Sequence, residues 1–216
     1  MKPTRPTLFP SPLATHVMTA LLLMLSAVVL APLCGCQRGA ADPEMQRLSL
    51  NLPQTDGPLV LHVRSDAFDT NGEIPAEHTA YGRNASPLLN WSGVPEGAKS
   101  IAVMVEDPDA PEPKPFVHWL VYNLSPYASG LPADVPPGDY LSAPAGAAQG
   151  KNSANTVGYS GPRPPVGDPA HHYHFQVFAL DKELGLKAGA TRQDLIRAMN
   201  GHVVAKGQLV GTYRER

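Results

Sequence analysis

Two short apolar runs bracket a loop in which every second or third residue is proline, and this arrangement constrains the fold more than any other feature of the 216-residue chain. Ile101-Ala102-Val103-Met104-Val105 comes first and runs into Glu106-Asp107. Its length and β-branched content are those of a buried strand. Phe116-Val117-His118-Trp119-Leu120-Val121-Tyr122 follows the loop and reads as a second strand. Between them, Pro108, Pro111, Pro113 and Pro115 each fix φ near about −65° and remove a backbone donor. Such a loop is stiff and holds side chains in fixed places. Fitting four prolines between neighbouring strands predicts at least one cis X-Pro bond within Asp107–Pro115. Strict alternation along the second strand puts Phe116, His118, Leu120 and Tyr122 on one face. His118 is then the single ionisable group among apolar neighbours, close in sequence to Asp107 and Asp109. Two readings stay open from these residues alone, a satisfied core histidine or a functional one.

With 24 prolines and 19 glycines, the chain is better suited to strands joined by shaped loops than to helices. Its length and its 43% hydrophobic and 17% charged residues fit one globular domain. The formal charge is −2 with no concentrated basic stretch, so nucleic acid is not an expected partner. The two cysteines, Cys34 and Cys36, both lie near the start, so packing rather than a disulfide framework must stabilise the fold.

Residues 1–35 read as an export signal. Lys2 and Arg5 give a positive start, and Met18 to Leu30 is a nearly unbroken apolar stretch, short for a membrane span. It ends in Leu33-Cys34-Gly35-Cys36, which resembles a bacterial lipobox with a small residue before the cysteine to be modified. Cleavage before Cys36 and its lipidation would anchor the protein to a membrane from the periplasmic side. Gln37 at the second mature position favours the outer membrane. A plain secretory signal and an uncleaved anchor are the alternatives, and Met18 is a second possible start. Residues 36–56 read as a tether, with a short strand at Leu48–Leu52, and residues 57–216 as the folded domain.

Within the domain, Leu59–Val63 is the first strand, and Asn71-Gly72 marks a turn. Ser125 to Gly158 lacks periodicity, as long functional loops do. A second proline-stiffened loop, Tyr159 to Gly167, delivers the chain to the strand His171–Leu180. Alternation there places His171, Tyr173, Phe175 and Val177 on one face, with His172 and His174 on the other. Thr191 and Asp194 form a capping signature for a helix that Gly201 ends, and Val203–Tyr213 supplies one or two final strands. Three groups could carry chemistry: Asp107, Asp109 and His118; His171 with Tyr173; and the Gly161–Pro165 loop, where glycine permits close backbone approach to a ligand. A metal site is disfavoured because alternation separates the histidines. No nucleophile elbow is present either.

Ser86-Pro87-Leu88-Leu89-Asn90-Trp91, Asp107-Pro108-Asp109-Ala110-Pro111, His118-Trp119, Tyr159-x-Gly161-Pro162-x-Pro164-Pro165-x-Gly167 and His171-x-Tyr173-x-Phe175 occur in this order. That order resembles the phosphatidylethanolamine-binding proteins, in particular their bacterial Raf-kinase-inhibitor-like branch, over about residues 57 to 213. One position departs, with His172 standing where family members usually have Arg. The resemblance implies a mostly β, Greek-key fold of two antiparallel sheets with a few short helices. It also implies a small pocket for phosphate-like anions or phospholipid head groups, made by Asp107, Asp109, His118, Gly161, Pro162, His171 and Tyr173. His118 and His171 are expected to meet one anion, with the Tyr173 hydroxyl and N–H groups near Gly161 completing the cradle. Asp107 is expected behind His118, favouring its protonated form. The function implied is a binding module without turnover, cofactor or metal. The alternative is a protein-interaction module inhibiting a kinase or protease.

Overall fold

The computed structural model describes residues 47–216. The export signal, Cys34, Cys36 and most of the tether lie outside the described residues. The strands are β1 (His62–Arg64), β2 (Leu89–Ser92), β3 (Ser100–Asp107), β4 (Phe116–Leu124), β5 (Gly130–Leu131), β6 (Tyr140–Ser142), β7 (Ala145–Gln149), β8 (His171–Leu180) and β9 (Val203–Tyr213). One α-helix, α1 (Arg192–Met199), lies between the last two. The strands form two antiparallel sheets, ordered β1-β2-β5 and β6-β7-β4-β3-β8-β9. In the larger sheet β8 returns after a long excursion to lie beside β3, on the side away from β4, which is the Greek-key return. The fold class expected from the sequence is the one observed.

Residues 101–105 of β3 are apolar without a break because both faces of the strand are covered. Ile101, Val103 and Val105 join Leu89, Trp91, Trp119 and Phe175 in a core between the sheets. Ala102 and Met104 join Leu120, Tyr122 and Phe178 in a second core on the outer face, closed by Leu195, Ile196 and Met199 of α1. Both halves of the capping box form, with the Thr191 hydroxyl accepting from Asp194 N–H and the Asp194 carboxylate accepting from Thr191 N–H.

Several expectations are corrected. The proline-rich loop is trans throughout, and the cis bond among the described residues is Ala143-Pro144. Sharp turning there is unnecessary, because the loop spans Asp107 and Phe116, which pair at the open end of β3 and β4. Ser125 to Gly158 is not structureless: β5 extends the small sheet, and β6 and β7 pair with each other and with β4. Gln149 ties this segment down, accepting from the Trp119 indole and donating to the Pro136 and Gly138 carbonyls. The first strand lies at His62–Arg64 rather than Leu59–Val63, and the final segment is one strand. Leu48–Leu52 is not a strand.

Residues 48–56, expected as the end of a loose tether, are packed against the fold. They form two 3-10 turns, Ser49–Asn51 and Pro53–Thr55, with Leu50 and Leu52 in the outer core. Ser49 donates through its N–H and its hydroxyl to the fully buried Glu106 carboxylate, which also accepts from Gln176 and Arg192. Lys206 donates to the Leu50 and Thr55 carbonyls. A buried carboxylate needs such partners, and this cluster supplies them.

The alternation expected for β4 is also broken. Val105 stands opposite Trp119 and Glu106 opposite Val117, which leaves His118 as the extra residue of a β-bulge. Val117, Leu120 and Tyr122 face the outer core, whereas Trp119 and Val121 face the inner one. His118 turns with Trp119, away from Leu120 and Tyr122, and its ring meets Tyr173 edge-on at 5.1 Å between centroids.

Candidate ligand-binding site

Three neighbouring strands open at the same end of the larger sheet: β3 ends at Asp107, and β4 and β8 begin there. Between this end and the Ser160–Pro165 loop lies a cleft of about 470 Å³. Asp107, Phe116, His118, Ser160, Gly161, Arg163, His171 and Tyr173 line it, with Ala110, Pro111, Glu112, Pro164 and Pro165 at its margins.

His171 and Tyr173 lie on the inward face of β8, as alternation predicts, and their rings stack at 6.4 Å. His172 points outward. Asp107 stands behind His171 and not behind His118. His171 Nδ1–H donates to Asp107 Oδ2 at 2.8 Å, and the other carboxylate oxygen accepts from Asp109 N–H. The second imidazole nitrogen of His171 lies 3.9 Å from Asp168. His118 Nδ1–H instead donates to the Ser160 carbonyl at 2.5 Å. Burial pushes the His118 imidazole below its usual pKa, so this ring is neutral where a protonated one was expected. Burial, and then the Asp107 carboxylate, push the Tyr173 hydroxyl well up, so it stays protonated.

Asp109 is drawn away from the cleft. It accepts from the N–H and the imidazole of His172, each at 2.8 Å. Partial burial acts to raise its carboxyl, but these His172 hydrogen bonds outweigh that and hold it below the usual range. Pro162 is buried, and its carbonyl accepts from Ala80 N–H. Gly161 lines the cleft, but its N–H already donates to the Asn84 side chain at 2.7 Å, so it is not a free cradle donor. The glycine serves a different close approach: a Cβ there would stand 2.4 Å from the His78 carbonyl oxygen. Asn84, Tyr81 and Tyr159 together brace this loop, with Tyr81 donating to the Pro164 carbonyl and Tyr159 to that of His78. The sequence reading missed these braces, along with Phe116, Ser160 and Arg163. Arg163 lay inside the motif that singled out the loop, whereas nothing local marked Asn84.

Two buried side-chain atoms at the cleft have no hydrogen-bond partner, His118 Nε2 and the Tyr173 hydroxyl. Buried polar atoms are rarely left this way. No three His, Cys, Asp or Glu side chains among the described residues are placed to hold a metal ion.

The cleft lies where the central strands of this two-sheet β-fold open, and known proteins share the fold. Residues 64–214 match the sequence profile of the family named phosphatidylethanolamine-binding protein. The chain belongs to that family. It is 44% identical over 154 residues to the UPF0098 protein of Methanothermobacter thermautotrophicus, covering 71% of this chain and 99% of that one. Among solved structures, YbcL of Escherichia coli is 34% identical with a TM-score of 0.68, the match covering 72% of this chain and 99% of YbcL. A phosphatidylethanolamine-binding protein homologue from Chlamydia trachomatis is 38% identical with a TM-score of 0.65, covering 73% and 99%.

Proposed function

We propose that the protein is a non-enzymatic binding module whose cleft takes a small phosphate-like anion, free or as a phospholipid head group, and that it acts as a periplasmic lipoprotein of the bacterial Raf-kinase-inhibitor-like branch. The observation that carries the reading is the pair of unpartnered buried atoms, His118 Nε2 and Tyr173 Oη, on residues lining one cleft. His171, held by Asp107, brings a second imidazole to the same space. Binding rather than turnover is favoured because no serine, threonine or cysteine hydroxyl or thiol hydrogen-bonds to either histidine's Nε2 among the described residues. The family name points to the same ligand chemistry.

The test is phosphate titration of wild type, His118→Ala, His171→Ala and His172→Ala at pH 6 and pH 8. Losing one histidine contact should weaken binding roughly ten- to a hundred-fold. His172→Ala should bind like wild type, since its side chain is directed outward to Asp109. If wild type binds no phosphate, or if the cleft variants bind it unchanged, the protein-interaction reading replaces this one.

A further inference from the structure

We infer that a second pocket, lined by Lys114, Lys151 and Arg192, is the docking surface for an acidic arm of the same chain, residues 39–46. The inference lies outside the cleft and holds whether or not Cys36 is lipidated.

The pocket has a volume of about 380 Å³ and lies where α1 begins, with Val117 of β4 in its lining. Three cations line it, and one of them is matched: the buried Arg192 donates to the Glu106 carboxylate. Lys114 stands between Pro113 and Pro115 in the proline-rich loop, and Lys151 follows β7. Both are exposed, and neither ammonium has an ion-pair or hydrogen-bond partner among the described residues. Glu112 is the acidic residue of the lining, and it borders the cleft as well. Asp194, in the first turn of α1, is engaged by Thr191 and Arg197. Two unmatched ammonium groups facing one space repel each other, and carboxylates placed between them relieve that repulsion.

The place where the chain enters the fold selects the occupant. Arg192, in the wall of the pocket, donates through Nη2 to the Arg47 carbonyl. Directly ahead of Arg47 stand Gly39-Ala40-Ala41-Asp42-Pro43-Glu44-Met45-Gln46, with two carboxylates and no Lys or Arg. An extended chain covers about 3.3–3.6 Å per residue, so Glu44 can reach roughly 10 Å from Arg47 and Asp42 roughly 17 Å. Those spans suit a pocket whose wall already holds Arg47. Exposed ion pairs are individually weak. Here, however, the arm is tethered at the edge of its dock, at an effective concentration on the order of millimolar. An acidic partner in solution must exceed that concentration to displace it. Docking also shortens the free chain after Cys36 from residues 37–46 to residues 37–41. It thereby sets how far the fold can stand from an anchor at that cysteine.

The experiment is zero-length carbodiimide cross-linking of the full chain, reconstituted into phosphatidylcholine vesicles and read by peptide mass spectrometry. Asp42 and Glu44 should couple to Lys114 or Lys151 in 20 mM sodium chloride. In 500 mM the yield should fall at least about five-fold, because the screening length drops to about 4 Å. Lys99 and Lys187, exposed and outside the pocket lining, are the internal controls. Coupling spread evenly over all four lysines, or absent from Lys114 and Lys151, overturns the proposal. A second readout is the rate at which an N-hydroxysuccinimide ester acetylates each lysine. In the double variant Asp42→Asn, Glu44→Gln, Lys114 and Lys151 should react about three-fold faster, with Lys99 and Lys187 unchanged. Equal rates in parent and variant also overturn it. Phosphatidylglycerol vesicles test the rival occupant. Protection of Lys114 and Lys151 that appears only on those vesicles, and equally in the variant, assigns the pocket to an anionic lipid surface and overturns the arm. The cross-links of the parent decide the question without any variant.

Discussion

Asp107 Oδ2 accepts a hydrogen bond from His171 Nδ1 at 2.8 Å, with both side chains more than nine-tenths buried. The contact joins the last residue of β3 to the first of β8, so one pair both closes the end of the sheet and orients a cleft imidazole. Asp107→Asn keeps the size and removes the charge. A hydrogen bond to a charged group contributes about 1.5–3 kcal/mol, and urea unfolding should show a loss in that range. Unchanged stability would mean that the pair only positions His171.

Gly161→Ala should be destabilising, by about 1–3 kcal/mol as for other overpacked sites, because the added methyl meets backbone at His78 and Thr79. Gly185→Ala is the matched control, since nothing lies within 4 Å of its added Cβ. Calorimetric melting of the two variants compares them directly. Equal melting temperatures would contradict the close approach.

Buried neutral His118 makes stability depend on pH. Its folded pKa lies below the unfolded value of 6.5, so below that pH the unfolded chain binds a proton that the folded chain refuses. Its contribution is therefore complete above pH 6.5 and lost as pH falls towards the folded value, with a limiting slope of about 1.4 kcal/mol per pH unit for one proton. Unfolding free energies at pH 7.5 and pH 5.5 should fall more steeply for wild type than for His118→Gln. Parallel losses would place the proton uptake elsewhere.

Glu106→Leu removes the carboxylate shared by Ser49, Gln176 and Arg192. Breaking a buried ion pair in this way costs about 3–5 kcal/mol. Limited proteolysis should then cut within residues 48–56, which are packed against the fold in the parent. Resistance equal to wild type would show that apolar packing of Leu50 and Leu52 is enough to hold the segment.

Cys36→Ser, expressed in a bacterial host that processes lipoproteins, should move the protein from the membrane fraction to the soluble periplasmic one. Retention in the membrane would indicate an uncleaved anchor or another attachment.

The sequence was most readable where the backbone is regular. Along β8, alternation correctly turned His171 and Tyr173 inward and His172 outward, because no bulge interrupts that stretch. Along β4 the same rule put His118 on the wrong face, since the bulge that turns it has no residue signature of its own. The partner of Asp107 could not be read for a related reason: His118 is nearer in sequence, but His171 is brought beside it by strand pairing. Asn84, which holds the N–H of Gly161, is 77 positions away from it. The docked segment after residue 47 was hidden because 3-10 turns as short as Ser49–Asn51 and Pro53–Thr55 leave no periodicity to detect.

The clamp on Ser49 also determines how the fold bears load. A pull on the chain that precedes it reaches Glu106 in β3, a strand hydrogen-bonded on both sides within the sheet, together with Arg192 of α1, which donates to the Arg47 carbonyl. Glu106 and Asp107 are consecutive on that strand, the first facing the clamp and the second the cleft. Tension along the N-terminal chain is thus delivered one residue from the Asp107–His171 pair.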